Sequence, residues 1–384
     1  MKFLIEKEYI LNHLKIVEKV CALRGIQPVL SNILFEATED NKLKLEATDL
    51  DIAINTRTIA NVQEAGSITL PAKKLLEIIN KLPNKTISFD LDPNTQIMNI
   101  SCGKSKFELI GISSDNFPNI LEGIKFYKSI KIDIEPFIKG IKYTAFAAAS
   151  YENRNIISGV LSLIKDNTLE MVATDGNRLT RIIEKLENIS EIKTNIETEN
   201  QEESNEIKVV IPSKTLQEIL RIGSLIEDKK IEIHLSRSKI MFKTETMTMV
   251  SGLLDGEYPP YQQLIPTNYE KIAYVENQKL IESLEIVSTM VNDKTSIVKF
   301  EFGDNQLKLT AETPETGNSE DVIDIEYNSE NISIAFNYKY ILESIKTITS
   351  ERTKISLGGS LSATLFTPES GDDYLCLIMP IQIR

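Results

Sequence analysis

ITLPAKKLLEIINKLP (68–83) and VVIPSKTLQEILRI (209–222) are the stretches whose reading decides the fold. Each reads as a strand, then a proline at or next to the first helical position, then an amphipathic helix. Proline suits that place because its missing N–H would be unpaired there anyway. A weaker third copy, IAFNYKYILESIKTI (334–348), keeps the strand and the helical spacing, with Asn337 as N-cap in place of the proline.

Working outward, the neighbours of these stretches also recur in order. An amphipathic helix opens each third: YILNHLKIVEKVCA (9–22), EPFIKGIKYTAFAAA (135–149) and NQKLIESLEIVSTMV (277–291). Strand pairs follow in LKLEATDLDIAINT (43–56), LEMVATDGNRLTRI (169–182) and LKLTAETPETGNSEDVIDIEY (307–327). Each third closes on a strand running into proline: FELIGISSDNFP (107–118), MVSGLLDGEYPPY (249–261) and YLCLIMP (374–380). This order predicts three repeats, 1–126, 127–269 and 270–384, each long enough to bury its own core. Alternation in 86–101 and 231–245 is that of antiparallel strands with one buried face. The expected class is α+β, with antiparallel sheets covered by two helices per repeat. Residues 184–208 hold eight Glu, three Lys and no aromatic residue, and predict a solvated, mobile loop inside repeat two.

The chain's 384 residues, 41% hydrophobic and 26% charged, are those of an ordinary soluble globular protein. No apolar run approaches the ~18 residues that span a bilayer, and MKFLIEKEYI lacks a signal-peptide core. Cys21, Cys102 and Cys376 are scattered without CxxC spacing, which predicts reduced thiols in a cytosolic protein. A net charge of −13 argues against a generally basic nucleic-acid coat. Divided by element, the picture changes. The six repeat helices carry six more basic than acidic residues, which leaves −19 on everything else. Basic helices on an acidic body can present one surface to a polyanion.

No GxxxxGK[ST], HExxH or GxSxG occurs. The two histidines, His13 and His234, read as surface residues, so neither a metal nor a cofactor is expected. Asp49 and Asp51 stand two apart on a strand-like run and could mimic a carboxylate dyad, although no partner base is apparent. A hydrolase built on that pair, and a repeat scaffold with no DNA role, are the competing readings.

Five stretches together carry a resemblance: the MKF start, RGIQPVLSNIL (24–34), ATDGNRL (173–179), DGEYPPYQQLIP (255–266) and LIMPIQIR (377–384). Over its whole length, apart from the acidic insert, the sequence resembles the bacterial DNA sliding clamps, the beta subunits of DNA polymerase III. The resemblance implies three tandem repeats of the DNA clamp fold and a head-to-tail homodimeric ring, with helices lining the hole and sheets outside. It implies a non-catalytic accessory subunit of cytoplasmic replication, with no cofactor and no membrane partner. Double-stranded DNA would pass through the hole without sequence readout. A clamp loader would open the ring, and the polymerase alpha subunit and other proteins bearing a clamp-binding motif would dock by short peptides. Weak, salt-dependent attraction from a modestly basic lining would hold DNA without stopping it from sliding.

Carried over residue by residue, the resemblance implies a partner-peptide pocket of Ile157, Thr174, Gly176, Asn177, Arg178, Leu179, Pro259, Leu264, Tyr340, Leu377, Met379 and Pro380. Apolar side chains would frame a groove for a partner's Leu or Phe, with Arg178 fixing the peptide. The family often has His where this chain has Asn177, and the terminal Gln382–Arg384 departs from the commoner ending. Implied DNA contacts are Arg24, Lys73, Lys139, Lys142, Arg154, Lys214 and Arg221, with Asn155 standing where some relatives carry an aromatic. The implied dimer interface sets Lys104, Lys106, Phe107 and Leu109 against Thr289, Met290 and the acidic stretch from Glu312 to Asp321.

Overall fold

The computed structural model describes residues 1–22, 27–120, 122–151, 155–192, 206–292, 295–313 and 317–382. Its contacts group into two compact units. One holds Met1–Glu135, Glu187–Glu202 and Thr215–Leu253; the other holds Pro136–Leu186, Glu203–Lys214 and Leu254–Arg384.

Among the described residues the α-helices are α1 (Lys7–Glu18), α2 (Ala72–Lys81), α3 (Ile134–Thr144), α4 (Ser213–Gly223), α5 (Asn277–Val287) and α6 (Tyr338–Ile345). Helical spacing decides what each buries. Ile10, Leu14 and Val17 of α1, Leu75 and Ile79 of α2, and Leu280, Leu284 and Val287 of α5 are all fully buried. Each such side chain contributes about 1.5–3 kcal/mol by leaving water. The caps follow the sequence expectation. Pro71 and Pro212 directly precede α2 and α4, and Asn337 Oδ1 accepts from Lys339 N at the start of α6. Gly140 lets α3 press onto strand Thr168–Thr174, because a Cβ there would lie 2.4 Å from Met171 Sδ.

The first unit has two antiparallel sheets. Five strands run in the order Asn61–Glu64, Lys2–Glu6, Thr86–Asp92, Ile97–Cys102, Ser105–Ile110. Phe3 stacks on Phe89 there, with ring centroids 4.7 Å apart. In the nine-stranded sheet, the strand that closes repeat two, Met247–Gly252, pairs with Ile52–Ile59 of repeat one, Val250 opposite Ala53.

The second unit repeats the device. In its nine-stranded sheet the strand that closes repeat three, Asp373–Ile378, pairs with Arg178–Lys185 of repeat two, Leu377 opposite Leu179. A four-stranded sheet runs Gly317–Asp324, Gln306–Thr313, Ile297–Gly303, Ile332–Asn337. Among the closing and accepting strands of the three repeats, two are left at sheet edges: Ser105–Ile110, which closes repeat one, and Gly317–Asp324, which occupies the accepting place in repeat three.

One expectation needs correcting. Residues 184–208 are not a single solvated loop. Glu184 and Lys185 end a strand, Leu186 is buried, Ser190–Glu191 pairs with Ile130 and Lys131, and Ile207 opens another strand. The alternation of Ile207 with its neighbours extends the sheet further than the Glu count suggested. The remainder of the insert, 193–205, lies outside the described residues.

Candidate functional site

The ATDGNRL stretch forms a tight turn between two strands. Thr174 Oγ1 donates to the Arg178 carbonyl at 2.6 Å and accepts from Gly176 N at 3.1 Å. Asp175 Oδ1 accepts from the main-chain N–H of Asn177 and of Arg178. Gly176 supplies the turn's left-handed residue, with φ +91°. These side-chain caps replace ladder hydrogen bonds that the turn cannot make.

The same bonds recur in repeat one. Thr48 donates to the Ile52 carbonyl, and Asp49 Oδ1 accepts from Asp51 N and Ile52 N. Asp49 therefore shapes a turn. The reading of Asp49 and Asp51 as a hydrolytic dyad is set aside, because this carboxylate is occupied by its own backbone.

Around the second turn the structure gathers the expected pocket residues and sorts them. Leu179 and Leu377 are 2% and 5% exposed and belong to a closed core cluster with Leu161, Val172, Val210, Tyr261 and Leu375. They form the floor. Leu264 and Met379 stand out of it, 54% and 45% exposed. Ile157, Pro259, Tyr340 and Pro380 are half-buried, and Gly176 and Asn177 are exposed at the rim. Met379 N donates to the Asn177 carbonyl at 2.8 Å, so the C-terminal segment is tied to the turn. Thr174 is buried and serves the turn rather than the surface.

Arg178 departs from expectation. Its side chain is buried, 7% exposed, between the Phe146 ring (5.2 Å) and the Tyr340 ring (4.3 Å). Nε donates to Asp175 Oδ2 at 3.1 Å, Nη2 to the Phe146 carbonyl at 2.6 Å, and Nη1 to Glu343. A guanidinium set against two rings and hydrogen-bonded to three acceptors ties the turn to Phe146 and Tyr340. Its donors are spent on Asp175, Glu343 and the Phe146 carbonyl. Phe146 and Glu343 were missed in the sequence. Glu343 stands three residues after Tyr340 on α6, a helical spacing that puts both on one face.

The cationic candidates divide similarly. Lys73 and Lys142 are exposed on α2 and α3. Arg221 is exposed on α4 and donates to Glu218 at 2.7 Å. Lys214 Nζ lies 5.7 Å from the Tyr151 ring centroid. Lys139 is corrected. Its ammonium sits 2.6 Å from Asp372 Oδ1 and 2.9 Å from Glu184 Oε1, so two carboxylates already neutralise it. Burial opposes its charge, but those bonds outweigh burial and push Lys139 up to about 12. Arg24 and Arg154 lie outside the described residues.

Asp372 also accepts from Tyr143 Oη at 2.7 Å and Thr349 Oγ1 at 3.1 Å. Burial would raise its carboxyl, but the hydrogen bonds from Lys139 and Tyr143 prevail and hold it below the usual carboxylate range. A depressed folded value stabilises above the ordinary carboxylate value near 3.9 and loses that contribution as pH falls. Asp372→Asn should therefore destabilise the chain by about 2 kcal/mol at neutral pH. In urea melts across pH, the gap between variant and wild type should close as pH drops below about 4. A gap that widened in acid would contradict this assignment.

Of the interface candidates, Lys104 and Lys106 are exposed and Phe107 is half-buried, whereas Leu109 is already buried in its own sheet at 6% exposure. That corrects Leu109 as a contact side chain, because strand alternation turns it inward. Ile110, 74% exposed, is the apolar surface this strand offers. Thr289 is exposed, and Met290 is half-buried with its carbonyl accepting from Thr313 Oγ1. The histidines are not simple surface groups either: His234 Nδ1 lies 2.7 Å from Ser129 Oγ, and burial lowers the pKa of both His234 and His13.

Three family models match in chain order: the DNA polymerase III beta subunit N-terminal domain over 1–121, the central domain over 131–260 and the C-terminal domain over 262–382. A beta sliding clamp from a Synechocystis species is 30% identical, with 100% of both chains covered. The chain belongs to the DNA polymerase III beta-subunit family. Within that family, the Pseudomonas aeruginosa beta sliding clamp is 29% identical over the full length of both chains. Solved structures agree in fold: a Pseudomonas aeruginosa sliding clamp bound to griselimycin superposes with TM-score 0.86 at 29% identity, and a Bartonella birtlesii clamp bound to griselimycin with TM-score 0.87 at 28%, each covering 100% of both chains.

Proposed function

We infer that this chain is the non-catalytic processivity subunit of a replicative DNA polymerase. Two copies close head to tail into a ring that encircles double-stranded DNA and slides on it. The observation that carries this reading is the pairing of closing strands with accepting strands. Each closing strand of repeats two and three pairs with the accepting strand of the repeat before it. The closing strand of repeat one and the accepting strand of repeat three are both left at edges. Unpaired edges invite pairing. A second copy joined in the same register satisfies both at once and closes the assembly by two-fold symmetry. Ile110 on one edge and Val322, 45% exposed, on the other supply apolar area for that joint.

DNA is held through Lys73, Lys142, Lys214 and Arg221 by charge alone, so affinity falls steeply with salt. The groove between Leu264 and Met379 takes short apolar peptides from the polymerase alpha subunit and other clamp-binding proteins. The same surface is where a clamp loader engages. Replication places the protein in the cytoplasm.

Light scattering at micromolar concentration tests the assembly. A mass near twice 43.3 kDa is expected, and Ile110→Asp should shift it to a single chain. A wild-type protein that stayed single at that concentration would overturn the ring.

A further inference from the structure

We propose that Tyr261 and Glu170 are positioning residues for the peptide groove: their hydrogen bond pins the connector that carries Pro259 and Leu264, and so sets the groove's outer wall. This rests on the peptide-docking reading above and goes beyond it by assigning residues that touch no peptide.

Leu264 has little of its own to fix it, although its neighbours Tyr258 and Ile265 pack against the core cluster. Leu264 ends a single short turn, Tyr261–Leu264, and more than half of its side chain is in solvent. An exposed leucine on a free turn would sample many positions, and a peptide would have to order it on binding. Tyr261 removes that freedom. Its ring is 4% exposed within the core cluster, and its Oη donates to Glu170 Oε1 at 2.7 Å. The turn is stiff at its base, with Tyr261 N donating to the Pro259 carbonyl at 2.7 Å and Ile265 N to the Gln262 carbonyl. Pro259 and Leu264 therefore move with Tyr261. Tyr258 Oη adds a longer contact of 3.4 Å to the Val172 carbonyl.

The receiving end is braced as well. Glu170 lies on strand Thr168–Thr174. Arg181, on the adjacent strand Arg178–Lys185, places Nε 3.7 Å from the Glu170 carboxylate and donates from Nη2 to Asp373 at 3.0 Å. Asp373 opens the next strand, which belongs to repeat three. The pin is thus held by charges alternating across three strands, on both sides of the join between repeats. Burial raises both the Tyr258 and Tyr261 phenols far above their ordinary value, which keeps them as donors.

The test titrates a fluorescein-labelled peptide bearing a Leu-Phe pair, taken from the polymerase alpha subunit, onto the full chain. Tyr261→Phe should weaken binding roughly five- to tenfold, chiefly through faster dissociation. Glu170→Ala should match it, whereas Glu170→Gln, which keeps an acceptor oxygen, should stay within about twofold. In a Leu264→Ala background, Tyr261→Phe should cost less than about twofold, because the wall it positions is gone. A merely structural tyrosine would cost the same in both backgrounds. Equal losses, or wild-type affinity in Tyr261→Phe, overturn the proposal. A wild-type chain that fails to bind the peptide instead overturns the docking reading, and this proposal with it.

Discussion

Replacing Leu264 and Met379 together with alanine should lower affinity for the polymerase-derived peptide by roughly a hundredfold, with the two-chain mass unchanged. Both side chains are large, apolar and about half exposed, beside a floor that is already closed. Each truncation removes about 1.5–2 kcal/mol of apolar contact from the bound state, and ~3 kcal/mol corresponds to a factor of ~150. Neither residue supports the core, so melting should barely move. Leu179 is the contrasting control. It is 2% exposed, and Leu179→Ala would cost about 2–5 kcal/mol of stability by opening a cavity. Less than a tenfold loss of affinity in the Leu264/Met379 variant, read by fluorescence anisotropy, would remove these two residues from the groove.

Arg178→Ala should be the most damaging single substitution considered, costing about 3–5 kcal/mol in a urea melt. It leaves Asp175 and Glu343 without their common cation and the Phe146 carbonyl without its donor. It also empties the space between the Phe146 and Tyr340 rings. Arg178→Lys should recover little, since an ammonium can neither stack between two rings nor bond three separate acceptors in a plane. Peptide binding should fall with stability, because Tyr340 loses its support. A melt within about 1 kcal/mol of wild type would mean that the stacked guanidinium carries no weight.

The repeat was legible in the sequence because its markers are local. Pro71, Pro212 and Asn337 announce helix starts by their own backbone chemistry, and the apolar spacing of α1 to α6 names the buried faces. The turn at Thr174–Arg178 was legible too, through its echo at Thr48–Ile52.

The residues that gather around the Thr174–Arg178 turn were legible as a set, but their division of labour was not. Alternation marks Leu179 and Leu377 as facing one side of a sheet, yet it cannot tell whether another segment covers them. The connector around Tyr261 does, and that makes them floor rather than contact. Arg178 looked like a ligand-binding cation because its partner Glu343 lies 165 residues away. Lys139 looked like a free helix-face cation because Asp372, 233 residues on, folds back beside it. Long-range neutralisation of this kind leaves no periodic trace in a sequence.

The chain holds DNA by enclosing it, not by gripping it. The direct measurement loads the protein onto nicked circular DNA with a bacterial clamp loader, separates bound from free protein by gel filtration at moderate salt, and then cuts the circle with a restriction enzyme. Protein should stay with the intact circle and leave within the time of cutting. Equal retention on circular and linear DNA would mean that surface charge, rather than enclosure, holds the protein.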